Sequence, residues 1–303
     1  MSIRKRKPRR REPIDVDDAM LRAWPLPELP GDADKEERGR LLIIAGSREI
    51  PGAALLAAVA ALRAGAGKLV MATAQTVAIQ MALAVPEARV VALEETGSGG
   101  VRIDRRLFEP RYDAVLIGPG MQDAKATVAL VDEVLISAPD SSIVLDALAM
   151  DVMRETREAS HAALLCTPHA GELAHLTGRD KETIVADPLA AALGFVEKRA
   201  TTVVLKGATT LIAARGELPW RHQGGNAGLA VSGSGDVLAG IIAGLAARGA
   251  PLAQAAVFGV ALHARAGERL AARFGTLGYL SREIADEVPR LMHELSVATA
   301  SRR

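Results

Sequence analysis

The sequence predicts an α/β fold, a doubly wound, mainly parallel sheet with helices on both faces. Three observations carry that prediction. Short runs such as RLLIIAGS (Arg40–Ser47) and DAVLIGPG (Asp113–Gly120) are apolar without alternation, as strands buried on both faces are. They alternate along the chain with longer, Ala-rich stretches of helical character. No linker-like segment or internal repeat interrupts the alternation between Arg40 and Glu294.

The elements follow in order. Trp24–Pro30, with its prolines, reads as an extended approach segment to the first strand, Arg40–Ser47. Pro51-Gly52 opens a long apolar helix that stops at Gly65 or Gly67. Lys68–Thr73, Ala88–Leu93, Asp113–Gly120, Ser142–Ala147 and Ala163–His169 read as further strands. Gln75–Leu83, Ala124–Ile136, Gly171–Leu176 and Pro188–Arg199 read as helices. Thr202–Ala214 reads as two strands hinged at Gly207, a hairpin signal. From Asp236 onward the pattern is helical, over Val237–Ala247, Leu252–Arg273 and Ser281–Glu294. Residues 1–30 are expected as a basic, flexible extension, and 31–303 as one domain.

Composition narrows the class of function. The longest apolar run, Ala53–Leu62, is half of the roughly 20 residues a membrane span needs, and the N-terminus lacks a secretory signal's apolar stretch. The lone cysteine, Cys166, cannot form an internal disulfide, which fits a reducing cytoplasm; it reads as a small strand residue. Seven Lys and Arg lie between Arg4 and Arg11, and removing them from the net +1 leaves −6 on the rest of the chain. That body offers no electrostatic footprint for nucleic acid, and the basic tail reads as a solvated extension.

Unusual residues follow the predicted strands: Gly46-Ser47, Gly118-Pro119-Gly120, Asp146, Thr167-Pro168-His169 and Lys206-Gly207. In a doubly wound sheet ligands bind outside the carboxyl ends of the strands, so this placement points to a site. The segment richest in chemistry is Gly224–Gly249. Gly233, Ser234 and Gly235 form a tight turn ahead of an apolar helix, and free amides at a helix N-terminus suit phosphate. Asp236 at its mouth suits proton abstraction from an attacking hydroxyl. Asp is equally suited to an N-cap, and the residue alone does not separate the two roles. No Gly-Lys-Ser/Thr follows the glycines, which excludes a Walker A loop, and no Gly-x-Gly-x-x-Gly follows the first strand.

Turn, aspartate and long apolar helix, late in an α/β chain, resemble the anion hole of the ribokinase-like superfamily. TPHAGELAHLTG (Thr167–Gly178), VLKGATTLIA (Val204–Ala213) and GNAGLAVSGSGDVLAGIIAGLAARG (Gly225–Gly249) narrow the match. Together with GRLLIIAGS (Gly39–Ser47), PGAALLAAVAALRAGAG (Pro51–Gly67) and VLIGPG (Val115–Gly120), they resemble the ADP- or ATP-dependent NAD(P)H-hydrate dehydratases. The motifs run in order from about Gly39 to beyond Ala272.

The resemblance implies a ribokinase-like fold and a repair reaction on the S epimer of hydrated NADH or NADPH. The ring hydroxyl is phosphorylated from ADP or ATP, and phosphate is then eliminated to restore NAD(P)H. It implies Asp236 as the base and Gly233, Ser234 and Gly235 as the anion hole. Lys206, Gly207, Ala208, Thr209, Thr210 and Gly235 fall on the nucleotide-binding positions. Ala53, Gly118, Gly120, His169 and Asp236 fall on positions that contact the hydrate. Asn226 and Glu172 are expected in support. Lys206 also fits a surface lysine at a strand end, His169 a structural histidine, and Asn226 a turn cap.

Mg²⁺ is implied as cofactor without an identifiable ligand set. A homo-oligomer, with a tetramer among its forms, and a separate hydrate epimerase are the implied partners. Departures from the pattern are Ser234 where methionine is frequent, Ala170 for proline, Met121-Gln122 after the Gly-Pro-Gly turn, and no second aspartate after Asp146. Two other readings share some of these residues. One is a vitamin-precursor kinase of the hydroxyethylthiazole type; the other is a nucleotide-binding regulator whose basic tail engages RNA.

Overall fold

The computed structural model describes residues 12–28, 38–154 and 163–300. The strands are β1 (Ile14–Asp15), β2 (Arg40–Ile44), β3 (Lys68–Ala74), β4 (Ala88–Glu95), β5 (Val101–Arg102), β6 (Ala114–Ile117), β7 (Ser142–Leu145), β8 (Ala163–Cys166), β9 (Thr202–Leu205), β10 (Thr209–Ala213) and β11 (Trp220–Gln223). The helices are α1 (Asp18–Ala23), α2 (Pro51–Arg63), α3 (Ala78–Ala84), α4 (Ala124–Ser137), α5 (Ala170–Thr177), α6 (Lys181–Ala186), α7 (Pro188–Arg199), α8 (Ser234–Ala247), α9 (Leu252–Phe274) and α10 (Ser281–Ala300).

The strands form one sheet in the order β1-β11-β10-β9-β8-β7-β6-β2-β3-β4-β5. From β9 across to β4 every neighbouring pair is parallel, whereas β9, β10 and β11 pair antiparallel. The hairpin expected at Gly207 is present, with Leu211 opposite Leu205. The chain winds outward from β2 through β3 on one side and from β6 through β7 on the other. That change of direction is the switch point where such sheets open a crevice.

Period-two alternation divides the core between the two faces of the sheet. Leu41 and Ile43 of β2, with Ala114 and Leu116 of β6, pack with α2, α8, α9 and α10. Leu42 and Ile44, with Val115 and Ile117, pack with α4, α5 and α7. Helix α8 is buried along nearly its whole length, and small residues allow it. A Cβ on Gly240 would lie 2.3 Å from the Ala57 carbonyl oxygen, and one on Gly244 would lie 2.5 Å from that of Ala61. Helices α2 and α8 therefore touch through their backbones, which fixes where α8 begins.

The N-terminal expectation needs correction. The basic run Arg4–Arg11 lies outside the described residues. Residues 12–28 are packed onto the sheet and are not a separate extension: β1 pairs with β11, and Val16 and Leu21 are buried. Trp24 stacks on Trp220 with ring centroids 5.6 Å apart, while Gln254 Nε2 donates to the carbonyls of Trp24 and Pro25 at 3.0 Å. Strand β11 and helix α6 were not expected. The strand predicted over Ser142–Ala147 ends at Leu145, because Asp146 leads into a 3₁₀ turn at Ala147–Arg154. Ala147 there holds φ +47°, a left-handed conformation rare outside glycine and found at functional sites.

Candidate active site

Helix α8 starts immediately after Gly233, whose φ of +87° only glycine adopts without strain. A Cβ there would also collide with Leu56, one helical turn beyond Ala53. The Ser234 amide donates to the Val231 carbonyl at 3.2 Å. Among the described residues, the amides of Gly235 and Asp236 donate to no backbone carbonyl. Two free N–H groups at the N-terminus of a long helix are a ready anion site.

Lys206 faces this turn. The backbone after β9 is held against the segment after β8, since the Lys206 amide donates to the Pro168 carbonyl at 2.8 Å. A Cβ on Gly235 would be 3.5 Å from Lys206 Nζ, so the missing side chain leaves the ammonium close to the helix N-terminus. Nζ also lies 3.7 Å from both Asp146 Oδ1 and Glu172 Oε2. Asp146 is buried and accepts a 2.5 Å hydrogen bond from Thr167 Oγ1. Asp146 and Thr167 were read at the ligand crevice only from their position after strands, and Glu172 only as a supporting residue.

Asp236, half-buried in the first turn of α8, has its carboxyl pushed up to about 6 from an ordinary 3.8. Burial is the first cause and the negative charge of Asp146 the second, with Lys206 pulling the other way. A base must be ionised, so kcat/KM is expected to fall as pH drops through about 6. Asp146→Asn removes a negative neighbour, so the acid limb should move to lower pH. A pH–rate profile in which the limb stays in place or moves up would contradict that coupling.

His169 is the N-cap of α5 in a reciprocal capping box. Its Nδ1 accepts from the amides of Gly171 and Glu172 at 3.0 and 3.2 Å, and Glu172 Oε2 accepts from the His169 amide at 2.7 Å. Nε2 therefore carries the proton of the neutral ring. The structural role read for a lone histidine is thus present, yet His169 also lines two cavities, of about 710 and 400 Å³.

The larger cavity gathers most of the expected nucleotide side. Lys206, Gly207, Ala208, Thr210 and Gly235 line it, together with Asn226. Thr209 is not on its wall; it begins β10 opposite Gln223. Asn226 orders the glycine-rich loop, its Oδ1 accepting from the Gly228 amide and from the Tyr279 hydroxyl, both at 2.9 Å. Tyr279 was not expected. Ser234 differs from expectation: its amide is used within the turn, and its buried side chain meets His263 of α9.

On the other side, Gly120 approaches Ala53, and Gly118 approaches the strand end at Asp146. A Cβ on Gly120 would fall 2.6 Å from that of Ala53, and one on Gly118 would fall 1.8 Å from the Asp146 carbonyl oxygen. Both glycines have positive φ. Cys166, buried at the end of β8, has its thiol pushed up to about 12 by burial, which disfavours the thiolate.

The anion turn and Lys206 border the larger cavity, with the half-buried Asp236 beside them at the start of α8. The family profile described as NAD(P)H-hydrate dehydratase matches residues 41–290. The chain belongs to the NAD(P)H-hydrate dehydratase family.

Within that family the chain is 48% identical over 280 residues to the ADP-dependent (S)-NAD(P)H-hydrate dehydratase of Xanthomonas campestris, covering 91% of this chain and 95% of the relative. It is 36% identical to a bifunctional NAD(P)H-hydrate repair enzyme of Moorella thermoacetica, covering 90% of this chain and 53% of that longer protein. Among solved structures it is similar to the ADP/ATP-dependent NAD(P)H-hydrate dehydratase of Bacillus subtilis co-crystallised with ATP/Mg²⁺. The TM-score is 0.82 at 30% identity, over 93% of this chain and 98% of the other. A hydroxyethylthiazole kinase of Pyrococcus horikoshii matches at TM-score 0.54 and 19% identity, over 84% of this chain and 89% of the other, and shares the fold alone. This dehydratase-family chain thus has the fold expected of it, ribokinase-like α/β.

Proposed function

We infer that the protein restores NADH or NADPH from the S epimer of its hydrate, using ADP or ATP as phosphoryl donor. The observation that carries the reading is the half-buried Asp236 beside two unpaired amides and Lys206. A base, an anion hole and a cation meet at one point. The nucleotide is placed in the larger cavity, with its terminal phosphoryl at the Gly235 and Asp236 amides. The hydrate lies against Ala53, Gly118, Gly120 and His169.

Asp236 takes the proton of the ring hydroxyl as its oxygen attacks phosphorus, and AMP or ADP departs with the bridging oxygen. The charge that spreads over the phosphoryl oxygens meets the amides and Lys206. Phosphate, a far better leaving group than hydroxide, then leaves with the carbon–oxygen electron pair. The adjacent ring carbon gives up a proton and the double bond returns.

Mg²⁺ is proposed to neutralise charge on the nucleotide's phosphates. Among the described residues no three His, Cys, Asp or Glu form a metal-holding group, so no protein ligand is assigned to it and no step depends on it. The single-domain organisation, cytoplasmic location, a homo-oligomer such as a tetramer and a separate epimerase for the other epimer belong to the same proposal. The bifunctional relative, of which this chain spans about half, supports the last. Among the described residues no helix is long and apolar enough to cross a membrane.

Hydrated NADH incubated with the protein and either ADP or ATP tests the reading. Return of the NADH absorbance band that requires nucleotide is expected. Phosphorylation of a vitamin precursor, with no such return, would favour the kinase reading instead.

A further inference from the structure

On α9, buried beside the anion turn and on the wall of the larger cavity, is a histidine that the proposed chemistry does not use. His263 Nε2 lies 3.0 Å from Ser234 Oγ and 3.1 Å from the Ser234 carbonyl oxygen. A carbonyl only accepts, so the proton of the neutral ring sits on Nε2 and is directed at that oxygen. Burial, with help from the Lys206 ammonium, pushes the ring down to about 4, so it stays neutral in ordinary buffers.

The Ser234 carbonyl and the Gly235 amide belong to one peptide plane. In a trans peptide the C=O and the following N–H point in opposite directions. A group that holds the Ser234 oxygen therefore keeps the Gly235 N–H pointing the opposite way, past the N-terminus of α8. Ser234 and Gly235 open α8, so the same peptide is also aligned by the helix that begins there. Ser281 secures the Ser232–Gly233 peptide in a similar way, its Oγ donating to the Ser232 carbonyl at 2.7 Å.

We propose that His263 is a positioning residue that fixes the Ser234–Gly235 peptide, and so aims the Gly235 amide at the terminal phosphoryl of the bound nucleotide. The inference rests on the placement of that phosphoryl given above, and it deepens the reading by naming what holds the anion hole in place. It separates the phosphate end of the nucleotide from the base end. Loss of the imidazole should affect a nucleotide whose terminal phosphate reaches the turn, and spare one that stops short.

The test compares ADP and AMP binding by calorimetry in the full chain, with His263→Leu and His263→Gln. Loss of a charge-assisted hydrogen bond predicts that His263→Leu weakens ADP about tenfold and AMP less than about twofold. His263→Gln, whose amide can donate to the same carbonyl, should recover most of the loss.

Equal weakening of ADP and AMP by His263→Leu, or a glutamine variant as poor as the leucine one, would overturn the proposal. If the leucine variant does not fold, His263→Asn, whose shorter amide falls short of the carbonyl, takes its place in the same comparison. A wild-type protein that shows the ADP–AMP split but returns no NADH leaves His263's role standing and removes the dehydratase reading.

Discussion

Asp236→Asn is expected to lower turnover by about 10³-fold, within the range for loss of a positioned general base, while ADP binds within a few-fold of wild type. Asparagine keeps the shape and the helix start but cannot take the proton from the attacking hydroxyl. The folded-state pKa of about 6 lies above the ordinary 3.8, so the native state holds its proton more tightly than the unfolded chain. By linkage, stability falls as pH rises from about 4 to about 6, and above that the full cost of burying the ionised carboxylate is present. Asparagine removes that cost. At neutral pH the variant should therefore melt no lower than wild type while losing turnover. Steady-state kinetics, calorimetric ADP titration and thermal unfolding check the three parts. Full turnover would refute the assigned base, and lost turnover with a lower melting temperature would point to damage of the fold.

Lys206→Met should be the second most damaging change, lowering kcat/KM for ADP by about 10²–10³-fold, comparable to losing an anion-hole donor. The ammonium is the cation beside the Gly235 turn, and it is mostly covered by protein, with 23% of its side chain exposed. Water therefore screens it less than it would a surface lysine. Its removal also leaves Asp146 and Glu172 without the positive charge between them. The Asp236 carboxyl then loses the positive charge that draws it downward, and the acid limb of the rate profile should move to higher pH. That direction is opposite to the shift expected of Asp146→Asn. Two variants that shift the limb in opposite directions are difficult to explain by general loss of structure. A lysine variant with an unchanged profile would show that Lys206 does not act on Asp236.

Much of this architecture was legible in the sequence because the signals are local. Continuous apolar runs gave β2, β3, β6 and β8, and Gly207 within Thr202–Ala214 marked the turn between β9 and β10. The Gly233 turn and the apolar helix after it were equally plain. What escaped depends on distant partners. Strand β11 is only Trp220–Gln223, with Arg221 and His222 inside it, and its strand character comes from pairing with β10 and β1. The N-terminal segment reads as an extension until Trp24 is seen stacked on Trp220.

The site follows the same rule. Lys206, His169 and the Gly118–Gly120 turn were visible as residues after strands. Asp146 was visible there too, but its effect on Asp236 exists only once Lys206 and α8 are placed beside it. Ser234 was assigned to the anion hole from the resemblance of its turn to the family's. Its side chain turns instead to His263, a contact between two helices that no spacing announces.

The central claim is that phosphate is added in order to be eliminated. Its most direct measurement follows NADH, AMP and inorganic phosphate together, with hydrated NADH and ADP as the only substrates. The account predicts that all three appear in equal amounts and at the same steady rate, and that none forms with Asp236→Asn. AMP accumulating with a stable phosphorylated hydrate, and no NADH, would contradict it.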